Sequence, residues 1–562
     1  MPADLILTGG KICTVDPARP WAEAAAVVGE RIAAVGSARD LEAWTGPGTR
    51  LLDLQGRMVL PGFTDAHVHF MEGGQTLLGV QLRDAATPEA FVARIAAKAR
   101  ELPAGTWILG GNWDHQSFPG AELPRREWID AVTPDHPVSV SRMDGHMALC
   151  NSLALRMAGV DRGTPTPAGG AIVRDPATGE PTGILKDAAR NLVRRIIPEP
   201  TAAQLRAMAE TALAAAAAKG VTTVHDVSGE RGFAVYQDLL GQGQLTCRIA
   251  FYLPIVWMDN VFEPDLVSGL RSDTRWGSPM GDGEGAERAR DPLSFLSAFG
   301  STRLRFAGLK GFTDGSLGSG TALFFEPYSD EPGNCGLFHD QMFPEGVMAQ
   351  RVQAADRHGL NVAVHAIGDR AIATLLDIFQ EAAGAGGFPG RRLRVEHVQH
   401  VRPADFERLA RLGVVASVQP YHGIDDGRWA EGRIGPQRVK WAFPYRSLLD
   451  AGVPLAFGSD WPVAPMDPIQ GIYAAVTRRT LDGRHPDGWV PAQKVPLAAA
   501  IHASTMGGAC AECAEREKGS VTAGKLADFV VLDRNLFEIR PEEIAEAQVV
   551  ATICGGEVVY QR

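Results

Sequence analysis

Met58-Val-Leu-Pro-Gly-Phe-Thr-Asp-Ala-His-Val-His69 is the stretch on which the reading of the fold turns. An apolar lead-in, Met58-Val-Leu60, runs into a Pro-Gly step and then into two histidines, His67 and His69. It reads as a short buried strand ending in a polar tip. Residues i and i+2 of a strand share a face, so both imidazoles can converge on one point, as a metal ion requires. Two surface histidines after a turn would show the same spacing, and the rest of the chain decides between the two.

Working outward, apolar runs alternate with helical stretches such as Thr201–Lys219, Met342–His358 and Pro403–Leu412. The strand candidates are Met58–Ala66, Val221–Asp226, Arg248–Leu253, Leu304–Lys310, Asn361–His365, Arg394–His397, Val414–Gln419 and Pro454–Gly458. Eight strands alternating with helices predict an α/β fold, a (β/α)8 TIM-like barrel over residues 61–515. The gap after the first strand is too long for one helix, so residues about 72–200 form an insertion, rich in Trp, Pro and Gly. Residues 1–60 and 516–562 carry short β-runs broken by Gly and predict one small β-sandwich domain built from both chain ends. Residues 271–292, rich in Gly, Asp, Glu and Arg, read as an exposed loop.

Reactive groups of such a barrel sit at the C-terminal ends of its strands. Here those ends carry His67 and His69, Lys310, His365, His397 and Asp460. Six polar groups at one end of five apolar strands are costly to bury without partners, and a shared metal centre satisfies them together. Imidazole and carboxylate without thiolate suit zinc, and also manganese, iron or nickel. Lys310 cannot ligate as an ammonium. It is either a salt-bridged structural lysine or, neutral through burial, a lysine that has taken up CO2 as a carbamate able to bridge two metals.

The 562 residues, 45% apolar and 22% charged, allow a large core. A net charge of -11 argues against nucleic acid or an anionic membrane as partner. No signal peptide and no membrane span is read, and seven scattered cysteines form no disulfide framework, so the expected location is cytoplasmic.

Pro61–His69, Lys310, His365, His397 and Gly458-Ser-Asp460 resemble the metal-dependent amidohydrolase superfamily. Gly111-Asn-Trp-Asp, Asp144-Gly-His146, Gly183-Ile-Leu-Lys-Asp187, Phe312-Thr-Asp-Gly-Ser-Leu-Gly318, His365-Ala-Ile-Gly-Asp369 and Gly524-Lys-Leu-Ala-Asp-Phe529 are similar to its amidohydrolase 3 branch, which includes YtcJ-like proteins and N-substituted formamide deformylases. The resemblance implies two divalent metal ions, zinc foremost. His67, His69 and Asp460 would hold one, His365 and His397 the other, and a carbamate on Lys310 would bridge them. It also implies a homodimer. The expected reaction is hydrolysis of a non-peptide C–N bond in a small-molecule amide, N-formyl amides included, by a metal-activated hydroxide, with Asp460 as general base and then acid. A mononuclear deaminase of the same fold, which needs no Lys310, and a catalytically silent scaffold are the competing readings.

Weaker substrate-binding candidates are Trp113, Asp144, His146, Asp314 and Trp461. Asp144 and His146 either reach the pocket from the insertion or make a structural turn. Trp113 and Trp461 are pocket walls or core. Asp314 orients the Lys310 loop or its partners, and His400 is expected to pack outward.

Overall fold

Alternation along Leu5–Thr8 and Ala24–Val28 sorts side chains into two layers. Leu5, Leu7, Ala25 and Val27 face one apolar core, whereas Ile6, Ala24 and Ala26 face a second one with Ala3 and Leu41. The computed structural model describes residues 2–143, 145–167, 170–259, 300–384 and 392–562. The loop expected at 271–292 lies outside them. The chain divides into two units, Met1–Val68 with Ala216–Ser459 and Asp467–Arg562, and His69–Ala215 with Asp460–Met466.

The first unit contains the sandwich and the barrel. One sandwich sheet has the order Arg31–Gly36, Ala24–Val28, Leu5–Thr8, Arg50–Asp53. The other runs Glu557–Gln561, Val549–Cys554, Phe529–Leu532, Met58–Pro61, Lys11–Cys13, Trp21–Ala22, so both chain ends contribute to it. The barrel strands are β1 (Phe63–Val68), β2 (Val221–Asp226), β3 (Arg248–Pro254), β4 (Leu304–Phe312), β5 (Val362–Ala366), β6 (Leu393–His397), β7 (Val415–Val418) and β8 (Leu455–Phe457). They form one eight-stranded sheet in sequence order, parallel throughout. Its edges meet: Ser459 N donates to Asp65 Oδ1 at 2.8 Å, and a Cβ on Gly458 would stand 2.7 Å from His67 N. The helix Asp369–Ala383 shows the apolar stripe of a helix packed on such a barrel: Ile372, Leu375, Leu376 and Phe379.

The expected strand Met58–Ala66 is two strands. Met58–Pro61 belongs to the sandwich and Phe63–Val68 to the barrel, with Gly62 between them. A Cβ on Gly62 would lie 2.2 Å from Thr222 Oγ1, so only glycine lets the chain pass this close to β2. Periodicity could not reveal the break, because Met58–Val68 is buried throughout.

Arg248 and Asp528 make a bidentate pair at 2.7 and 2.8 Å that ties β3 to the sandwich, both side chains being buried. Burial alone would raise the Asp528 carboxyl, but the Arg248 guanidinium outweighs it and holds the pKa below its ordinary 3.8. The pair therefore stabilises the fold above that value and loses its contribution as the pH falls below it through the depressed one. Arg248→Met leaves a buried carboxylate without its cation. The expected cost is about 3–5 kcal/mol, read as a lower midpoint in denaturant unfolding.

The second unit is built on a six-stranded mixed sheet, in the order Gly170–Arg174, Pro181–Asp187, Met147–Cys150, Ser139–Arg142, Gly110–Trp113, Val80–Gln81. The helix Pro88–Glu101, capped by the Thr87 hydroxyl on Ala90 N, packs Phe91 and Ile95 against it. The short segment Asp460–Met466 belongs here because Asn112 Nδ2 donates to Pro462 O at 2.8 Å and Arg83 donates to Val463 O. All seven cysteines are free. No helix among the described residues is long and apolar enough to cross a membrane.

Candidate metal centre

Within the first unit, the C-terminal ends of β1, β4, β5 and β6 bring His67, Lys310, His365 and His397 together, all buried. The His365 and His397 rings are 4.5 Å apart between centroids at 66°, and those of His67 and His397 are 5.0 Å apart at 55°. Lys310 Nζ lies 3.5 Å from the centre of the Phe312 ring, and that ring packs on His365 at 5.3 Å. Strand alternation would turn His397 away from Glu396. A left-handed φ of 74° at His397 breaks the alternation, so His67 meets both neighbours. Such a backbone in a non-glycine residue is costly and persists where the surroundings enforce it.

Each imidazole has one nitrogen committed to an acceptor. His67 Nδ1 is 2.5 Å from Glu396 Oε2, His397 Nδ1 is 2.8 Å from Gln419 Oε1, and His365 Nε2 is 3.0 Å from the Gly315 carbonyl. Carbonyl and carboxylate oxygens accept only, so those nitrogens carry protons, and the opposite nitrogens are the ones that could face an ion. Burial, reinforced by His365, His67 and Lys310, drives the His397 pKa far below its usual value. Burial would raise Glu396, but Arg394 and His67 outweigh it and keep the carboxylate ionised. Imidazoles oriented through one nitrogen present the other to a metal, so the residues present fit a divalent ion.

In the second unit His69 Nε2 and Asp460 Oδ1 are 3.5 Å apart, and His69 N donates to Trp461 O at 2.8 Å. Asp460 also has a left-handed backbone, φ 57°. The Trp461 indole packs edge-on to Phe70 at 6.1 Å, in space left by Gly73, where a Cβ would come within 2.1 Å of the ring. His146 Nδ1 pairs with Asp187 Oδ1 at 2.9 Å, both partly exposed.

Other candidates lie elsewhere. Trp113 is fully buried in the insertion core, its Nε1 donating to Val140 O and its ring packed on Phe91, so it is a core residue and not a pocket wall. Asp144 lies outside the described residues. Asp314 is fully buried and its carboxylate accepts from the amides of Leu323, Ile367 and Gly368 at 2.8–3.0 Å. It ties the segment after β4 to the segment after β5, and burial pushes its pKa up to about 7. His400, expected to face outward, is buried between Phe324 and Phe443.

Sequence reasoning missed Glu396, Gln419 and His422, whose ring stacks parallel to His397 at 6.5 Å. One signal was available: Arg394 and Glu396, two opposite charges at i and i+2 on a buried strand, share a face and must answer something inside the barrel.

A parallel barrel with imidazoles gathered at its C-terminal strand ends is an arrangement that metal-dependent hydrolases use. The chain belongs to the amidohydrolase family, whose model matches residues 50–560, and it is a hydrolase of C–N bonds. It is 38% identical over 570 residues to protein LONG AFTER FAR-RED 3 of Arabidopsis thaliana, covering 99% of this chain and 92% of that one. It is 29% identical over 576 residues to the N-substituted formamide deformylase of Arthrobacter pascens, covering 100% and 98%. Among solved structures, a metal-dependent hydrolase from Pyrococcus horikoshii OT3 superposes with a TM-score of 0.74 at 28% identity, covering 96% of this chain and 99% of that chain.

Proposed function

We propose that the chain is a binuclear hydrolase of small-molecule amides, N-formyl amines among them. His67, His69 and Asp460 hold one divalent ion and His365 and His397 the other, zinc being the first choice, and a carboxylated Lys310 bridges them. The observation that carries this reading is the set of three buried imidazoles gathered at one end of the barrel, each with one nitrogen oriented by an acceptor. The likeness to a formamide deformylase supports the substrate class.

When bound, the ions supply Lewis-acid polarisation of the substrate carbonyl and acidify water. The chain does the rest. Glu396, Gln419 and Gly315 hold the imidazole tautomers. Asp460 takes a proton on its carboxylate and delivers it to the departing nitrogen, which leaves poorly as an amine anion.

Protein reconstituted with zinc and bicarbonate is to be assayed against N-formyl amines, N-acyl amino acids, cyclic amides and esters. The expected result is amine release from at least one amide class, abolished by a chelator. Ammonia release from an amino-heterocycle, with no amide turned over, would favour the mononuclear deaminase.

A further inference from the structure

The three imidazoles of the first unit are held by acceptors of different charge. His67 donates to a carboxylate, and His67 and Glu396 are at most 1% exposed. Glu396 cannot turn away, because Arg394 Nε holds its other oxygen at 2.9 Å. Arg394 is itself fixed by Ala66 O at 2.6 Å, Ser417 Oγ at 3.2 Å, Tyr252 Oη at 2.7 Å and His225 Nδ1 at 2.8 Å. His397 donates instead to the neutral amide oxygen of Gln419, and His365 to the peptide carbonyl of Gly315. Asp314, a carboxylate near His365, stands 3.5 Å off, with its oxygens taken by three backbone amides.

A carboxylate draws on an imidazole N–H more strongly than an amide or peptide oxygen does, and so makes the opposite nitrogen a better donor to a metal. We infer that the proposed centre is asymmetric. The ion at His67 binds first and more tightly, with Glu396 as its positioning residue, and the ion at His365 and His397 is the exchangeable one. This rests on the binuclear reading above.

The test is a zinc titration of chelator-stripped protein, with bicarbonate present, against a chromophoric competitor. Two affinity classes separated by about 10- to 100-fold are expected. Glu396→Gln is expected to weaken the tight class by about that factor and leave the loose class in place. Because it also breaks the pair with Arg394, Gln419→Glu provides a second arm: it gives His397 a carboxylate and removes no ion pair. It is expected to strengthen the loose class and narrow the separation. Two equal classes in the wild type, or a separation that Gln419→Glu leaves unchanged, would overturn the asymmetry while keeping two ions. A wild type that binds one ion overturns the binuclear reading itself, and the inference with it.

Discussion

Lys310→Ala is expected to lower the metal content from about two ions per chain, the count a two-metal site requires, to one or fewer, with loss of turnover. Lys310 is 3% exposed at the end of the barrel where His365 and His397 meet, and its Nζ rests on the Phe312 ring. The nearby Asp314 has its carboxylate engaged by backbone amides. Elemental analysis of wild type and variant, both loaded with zinc and bicarbonate, decides the matter. One ion in both proteins removes the bridge and puts the deaminase reading ahead; no ion in either puts the silent scaffold ahead. Formate or acetate should restore part of the metal content to the alanine variant, since a small carboxylate can occupy the space of the missing carbamate.

Asp460→Asn is expected to lower kcat by about 10²- to 10⁴-fold, the range for loss of a general acid–base group. The substitution keeps an oxygen for a metal and removes the group that accepts and returns the proton. It adds little backbone strain, because asparagine tolerates the left-handed φ of 57° found at this position. Steady-state kinetics with metal content measured in parallel separates the two roles. A kcat that falls while both ions remain assigns the proton transfer to Asp460. A kcat within a few-fold of wild type would move that transfer to another group, and His422, stacked on His397, is then the first to examine.

The barrel was legible because its strands are buried on both faces and so read as apolar runs, with polar residues at one end. The position of each run told which residues stand at the strand ends, and His67, Lys310, His365 and His397 do come together there. The junction at Gly62 was not legible, because the apolar run continues across it. Nor was the holding of the imidazoles. Glu396 reaches His67 across the closed barrel, and Gln419 reaches His397 from the next strand's end, both long-range contacts that no local pattern encodes. Trp113 and His400 show the other limit: an aromatic or a lone histidine beside a polar motif has the same appearance whether it lines a pocket or fills a core.

The strand that carries His67 continues, through Gly62 alone, from a sandwich strand whose neighbours are Lys11–Cys13 on one side and Phe529–Leu532 on the other. Leu60 thus pairs with Val530. On the ribosome, the first proposed ligands emerge early, whereas the partner that fixes their strand is translated near the end. The barrel edge between β8 and β1 likewise waits for residues 455–459. A nascent chain therefore carries this strand with one side unpaired through most of its synthesis, although Lys11–Cys13 and Val221–Asp226 are available to the other side earlier. Its assembly is non-local and late, which exposes it to aggregation and to premature capture of metal by histidines not yet held in place.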